Sequence, residues 1–103
     1  NTIESLTLVD RAVRRRGPTR CMEPDIYPLL IAYVGEVMRQ RTGGEWRMKL
    51  AQDGETWEPW IVAGQETFNP FMVVYRELDE GGNGSIAGAT RGELRHGTGS
   101  PRR

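Results

Sequence analysis

The sequence predicts an α+β fold: two N-terminal helices, a small antiparallel sheet of two or three strands and a third helix, followed by a glycine-rich C-terminal tail. Three observations lead there. In 25–44, Ile26, Leu29, Leu30, Tyr33, Val34, Val37 and Met38 recur at three- and four-residue spacing, which gathers them on one wide helical face. In 45–50, Trp46, Met48 and Leu50 alternate with Arg47 and Lys49, the period-two pattern of a half-buried strand. In 69–78, an Asn-Pro opening precedes Phe71, Val74, Tyr75 and Leu78 at helical spacing. The reading makes residues 1–80 one domain and 81–103 a largely flexible tail.

The first helix is expected over 3–16. Ile3, Leu6, Val9 (or Leu8), Ala12 and Val13 form its stripe, Thr2 caps its start, and Arg14, Arg15 and Arg16 favour the negative end of the helix dipole. Gly17 and Pro18 stop it, and 17–24 reads as a linker with two prolines. In the central helix Asp25 is the expected N-cap, Pro28 sits in the first turn, Glu36 reaches Arg39 and Gln40, and Gly43 with Gly44 ends it. Asp53-Gly54 turns the first strand into a second, 56–63, where Pro59 cannot donate to a ladder and marks an edge or an irregularity. Gly64-Gln65 permits a further turn into a short segment, 66–68. Seven of the last 23 residues are glycine and apolar side chains are few there, so 81–103 is expected to be mobile, with at most a short turn around Ile86 to Leu94.

At 103 residues the chain has room for one domain with a modest core. Fourteen basic and fourteen acidic residues cancel, and mean hydropathy is -0.58, which argues against a generic nucleic-acid or membrane-surface protein. One cysteine excludes an internal disulfide framework and suits a cytoplasmic location. No apolar run reaches the ~18 residues of a bilayer span. The sequence opens on Asn1 rather than Met, the start expected of a fragment or a processed chain.

Catalytic chemistry finds little support. His96 is the only histidine and lies in the tail, where nothing holds a general base within reach of a substrate. Cys21 has Arg20 beside it to favour thiolate but no histidine to activate it, so a buried or incidental thiol is the better reading. One histidine and one cysteine cannot assemble the usual zinc set. Asp53, Glu55 and Glu58 lack the spacing of a calcium loop and read as an exposed turn. GGNGSIAG, 81–88, follows no strand and lacks the Lys-Ser/Thr of a phosphate loop. Glu36 follows Gly35, whose small size lets another group approach, yet no second carboxylate pairs with it. No enzyme, metal or cofactor is therefore expected.

Binding finds more. Trp46, Trp57 and Trp60 all fall in the hairpin. Trp57 and Trp60 are three apart in a strand and cannot share a face unless Pro59 breaks the register. Trp60 leads into Ile61-Val62, so Trp57 is the one expected to be exposed, and an exposed aromatic on an edge is a way to anchor a partner. Charge is segregated despite the zero sum. Residues 11–20 carry five arginines and no acid, whereas 53–80 carry seven acids and only Arg76. Opposed patches suit the steering of a charged protein partner. The plainer reading, solvated faces, carries similar weight.

The series YVGEV (33–37), GGEW (43–46), WIV (60–62) and NPFMVVYREL (69–78) resembles small bacterial domains of unknown function with a Gly-Glu pair on a helix, a Gly-Gly-x-Trp hairpin and an Asn-Pro-Phe helix. Such domains are similar to immunity-type proteins that neutralise toxins of competing bacteria. The resemblance implies a non-enzymatic, protein-binding role and brings no catalytic residues. Taken together, the expected partner is a protein, with Trp57, Trp60, Glu55, Glu58, Arg14, Arg15 and Arg16 as its contacts. The alternative is a nucleic-acid-binding module using the arginines of the Arg11–Arg20 patch.

Overall fold

The computed structural model describes residues 2–79 and 85–96. Among these residues the fold is α+β: five helices and one three-stranded antiparallel sheet. The order is α1 (Leu6–Arg16), α2 (Pro18–Cys21), α3 (Tyr27–Thr42), β1 (Glu45–Leu50), β2 (Trp57–Ala63), β3 (Glu66–Phe68), α4 (Pro70–Asp79) and α5 (Ile86–His96).

Thr2 and Ser5 cap each other reciprocally, Ser5 N donating to Thr2 Oγ1 (3.1 Å) and Thr2 N to Ser5 Oγ (3.0 Å). They close a turn, and the helix starts only at Leu6. Val9 rather than Leu8 faces the core; Leu8 is exposed. The 17–24 linker contains the short α2, opened by Pro18 and burying Cys21. Asp25 does not cap α3, whose first flanking residue is Ile26. Its carboxylate is held instead by Arg20, which donates to both oxygens at 3.0 and 3.1 Å. Helix α3 ends at Gly43, in the left-handed conformation at φ 73°, with its N–H on the Arg39 carbonyl (2.8 Å).

The core joins one face of each long helix to one face of the sheet. Ile3, Leu6, Val34, Val37, Met38, Ile61, Phe68, Val74 and Leu78 are all buried there. Leu29, expected in the α3 stripe, lies outside it and is 67% exposed. In α4, Asn69 caps as expected, its Oδ1 accepting from Met72 N (3.0 Å). The buried face is Val73, Val74, Glu77 and Leu78, one step round from the expected stripe. Phe71 and Tyr75 turn to the flank, where Phe71 stacks on Tyr75 and meets Tyr27 edge-on at 5.8 Å.

The largest correction concerns the tail. Residues 86–96 form α5, packed on α1 and α4, with Ile86, Ala87 and Thr90 buried. Its start is fixed by a residue 76 positions away. The buried Asp10 carboxylate of α1 accepts from Ile86 N (2.5 Å), Ala87 N (3.2 Å) and Ser85 Oγ (2.9 Å). These are orphan donors of a helix N-terminus, met by a carboxylate that also suits the dipole. Glu93 ties the same helix to α4 by accepting from Asn69 N (3.0 Å). The tail expectation for 80–84 and 97–103 lies outside the described residues.

Candidate functional site

The sheet runs β1-β2-β3, with β1 at one edge. The β1–β2 register pairs Trp46 with Ile61, Met48 with Pro59 and Leu50 with Trp57, and on the alternate positions Glu45 with Val62, Arg47 with Trp60 and Lys49 with Glu58. Residues opposite one another in an antiparallel pair share a face. One face of the hairpin is therefore Trp46, Met48, Leu50, Trp57, Pro59 and Ile61. The other is Glu45, Arg47, Lys49, Glu58, Trp60 and Val62.

The apolar face divides along its length. Near the helices, Ile61 pairs on with Phe68 of β3, and both are buried. Trp46 lies across α3 at Gly35, where an added Cβ would come within 2.0 Å of the indole carbon Cη2. This is the close approach that a glycine beside Glu36 suggested. The indole Nε1 donates to Glu36 Oε1 (3.2 Å), and Arg39 and Gln40 also donate to that carboxylate. These bonds, Arg39 foremost, hold Glu36 at a pKa of about 2. Beyond Trp46 the described helices stop and the face continues. Met48 is 58% exposed, Leu50 50% and Trp57 59%, against 0% for Ile61. These three and Trp46 are four of the seven large apolar side chains exposed among the described residues, and they sit on one surface. Lone exposed apolar side chains are ordinary; a contiguous group marks an interaction surface.

The ladder runs unbroken through Pro59. Ala51 N donates to the Thr56 carbonyl (2.7 Å). Alternation from that pair directs the backbone groups of Glu45, Arg47 and Lys49 toward β2 and those of Trp46, Met48 and Leu50 toward the open edge. Pro59, opposite Met48, thus occupies a position where β1 requires no donor. Trp57 and Trp60 consequently point to opposite faces. Trp57 is exposed, as expected; Trp60 is half-buried, with Lys49 Nζ 4.5 Å over its ring.

The turn that holds the two strands is built by Asp53. Its carboxylate accepts from Thr56 Oγ1 (2.6 Å), Thr56 N (2.9 Å) and Glu55 N (2.8 Å), which holds its pKa at about 2. That carboxylate is committed to the turn, and Glu55 is exposed beside it. Glu58 and Trp60 share a shallow cleft of about 540 Å³ with Lys49 on the polar face. Among the described residues no group of three or more His, Cys, Asp and Glu is placed to hold a metal ion, and no helix is long and apolar enough to cross a membrane. Cys21 is buried, and burial pushes its thiol pKa up against the pull of Arg16 and Arg20. The buried thiol read from the sequence is what the fold contains, and burial outweighs the pull of Arg20 toward thiolate.

The expected contacts do not converge. Arg14, Arg15 and Arg16 are exposed on α1, which packs on α5 and α2, while the hairpin packs on α3 and α4. Arg20 leaves the basic patch through its ion pairs with Glu23 and Asp25. Arg41, Arg91 and Arg95 line a separate cleft of about 430 Å³ with Ile3, Thr42 and Leu94. Sequence reading missed Met48 and Leu50 as surface residues, because alternation marks a face for burial without saying what buries it. No family model, curated protein or solved structure matches the chain.

Proposed function

We propose that this is a non-enzymatic protein-binding domain whose interface is the outer half of the hairpin, centred on Trp57. The carrying observation is the apolar face of Trp46, Met48, Leu50 and Trp57, which extends past the helices that cover its inner half. The face is held rigidly by the paired strands and by the Asp53 turn, so little ordering cost opposes its burial by a partner. Aromatic anchors ringed by charged residues are the usual make-up of an interface centre. Glu55 lies beside it in the turn, Glu58 and Trp60 lie on the opposite face of the hairpin, and the α1 arginines act at a distance on encounter rate. An immunity-type inhibitor, with a toxin encoded beside it as partner, is the form that the resemblance of the 33–78 series gives to this role.

The test is co-expression with the products of adjacent genes, followed by purification and binding kinetics. Trp57→Ala should dissociate from a captured partner about 30-fold faster or more, as expected of a hot-spot aromatic, while melting like the parent. Unchanged dissociation from the same partner would rule out this interface.

A second reading has one observation of its own. Arg11, Arg14, Arg15 and Arg16 are exposed and take part in no ion pair among the described residues. Arg11, Arg14 and Arg15, at helical spacing, share one side of α1. A nucleic-acid role through this strip requires a mobility shift that survives moderate salt and is lost on replacing those arginines.

A further inference from the structure

Among the described residues strand β1 is an open edge. Every one of its residues is exposed, and the N–H and C=O groups of Trp46, Met48 and Leu50 point outward by the alternation fixed at the Ala51–Thr56 bond. A six-residue edge with apolar side chains on one face is a template for another strand. We propose that its occupant is β1 of a second copy, paired antiparallel about a two-fold axis at Arg47, so that two three-stranded sheets form one sheet of six. The inference rests on the reading that the outer hairpin is a protein-covered surface, and it names the cover for the β1 part.

The strand's own sequence selects both direction and register. A two-fold perpendicular to the sheet keeps each face on its own side, so opposed residues must have the same parity. Two centres, Arg47 and Met48, also keep five of the six strand residues paired within β1. Centred on Arg47, Glu45 of each copy faces Lys49 of the other, twice. Trp46 faces Met48, twice, and Leu50 lies beside Gly44. Only Arg47 meets its own copy, and each Arg47 is already bridged to Glu45 of its own chain at 3.0 Å. Centred on Met48, Arg47 would face Lys49 twice and Glu45 would face Ala51, leaving four cations without a carboxylate opposite. Opposite charges across strands stabilise and like charges destabilise, so the Arg47 centre is preferred. In that register the outer half of each β1 runs beside the inner half of the other. Met48, exposed in the single chain, gains the large Trp46 ring as its cross-strand neighbour. Trp57, one strand in from the edge, stays available to a different protein.

The experiment is a charge swap read by sedimentation velocity and native mass spectrometry. The parent chain should sediment as a dimer, at twice its 11.6 kDa mass. Glu45→Lys places Lys opposite Lys, and Lys49→Glu places Glu opposite Glu. Each variant alone should dimerise at least about tenfold more weakly, as two cross-strand pairs turn repulsive. Mixed in equal amounts, they should form a one-to-one heterodimer, since both cross-strand pairs are then Lys with Glu. A parent chain that is monomeric at all accessible concentrations overturns the proposal. So does a Lys49→Glu chain that dimerises better than the parent, the outcome of the Met48 centre. Circular dichroism of each variant identifies one that has failed to fold, and Met48→Pro, which removes an outward N–H from the pairing and none from the β1–β2 ladder, then replaces it and must also be monomeric. If the parent is monomeric while Trp57→Ala still loses a captured partner, self-pairing is wrong and the Trp57 interface stands. If the swap behaves as expected while no partner is lost at Trp57, the reverse holds.

Discussion

The two halves of the hairpin's apolar face share one sequence pattern and have different fates. Ile61 and Phe68 in the inner half meet the helices and are buried; Met48, Leu50 and Trp57 in the outer half are covered by none of the described helices and are exposed. Local sequence does not separate them, because alternation sets which side a residue faces and nothing more. Helix placement separates them. Gly35 lets the Trp46 ring lie against α3, and past that point no described helix covers the sheet. An amphipathic strand that outruns its own core is therefore a surface with half of an interface already made.

Substitutions should show the asymmetry in order of size. Ile61→Ala, in the inner half, should cost about 2–5 kcal/mol of stability in denaturant unfolding, the range for emptying a packed aliphatic site. Leu50→Ala and Met48→Ala, in the outer half, should stay within about 0.5 kcal/mol. A large cost at Met48 in a dilute, monomeric sample would mean that the outer half has an intramolecular cover. At the boundary, Gly35→Ala forces the Trp46 ring off α3 and should cost about 1–3 kcal/mol. It should also shift tryptophan emission to the red as that ring becomes solvated.

Acid should loosen both halves through different groups. Glu36 at the inner end and Asp53 at the turn have folded-state pKa values of about 2 against ordinary values of 4.5 and 3.8. A depressed carboxylate stabilises the fold above its unfolded pKa, and that contribution is lost as pH falls toward the folded value. Stability should therefore decline between about pH 5 and pH 2. Glu36→Gln should flatten the upper part of that decline and Asp53→Asn the lower. An identical acid profile in both variants and the parent would show that neither carboxylate is held as described.

Much of the fold was legible for a stated reason. The spans of β1 and β3 coincide with those read from alternation and turn residues, and Asn69 caps α4 where the Asn-Pro pair placed the cap. Trp57 was identified as exposed because parity sets it opposite to Trp60 and Trp60 leads into Ile61-Val62. Helix α5 was not legible, because its signals are non-local. Gly88 and Gly92 interrupt a weak apolar pattern, and the cap that starts it comes from Asp10 on α1. No local pattern in α1 marks Asp10 for that role, since its partners lie 75 to 77 positions away. Asp25 misled in the opposite sense, because Arg20 offered its carboxylate a bidentate partner and the cap position fell to Ile26. At the candidate site the aromatics could be read, but Met48 and Leu50 could not, since their exposure depends on where α3 ends.

Exposure alone does not make an interface, and Leu29, the most exposed large apolar residue described at 67%, provides the control. A photo-crosslinking side chain placed at Trp57, and separately at Leu29, should be irradiated in cells producing the full chain. The account predicts a discrete protein adduct from position 57 and none from position 29. Equal labelling from both positions, or an adduct from 29 alone, would contradict the claim that the outer half of the hairpin is the binding surface.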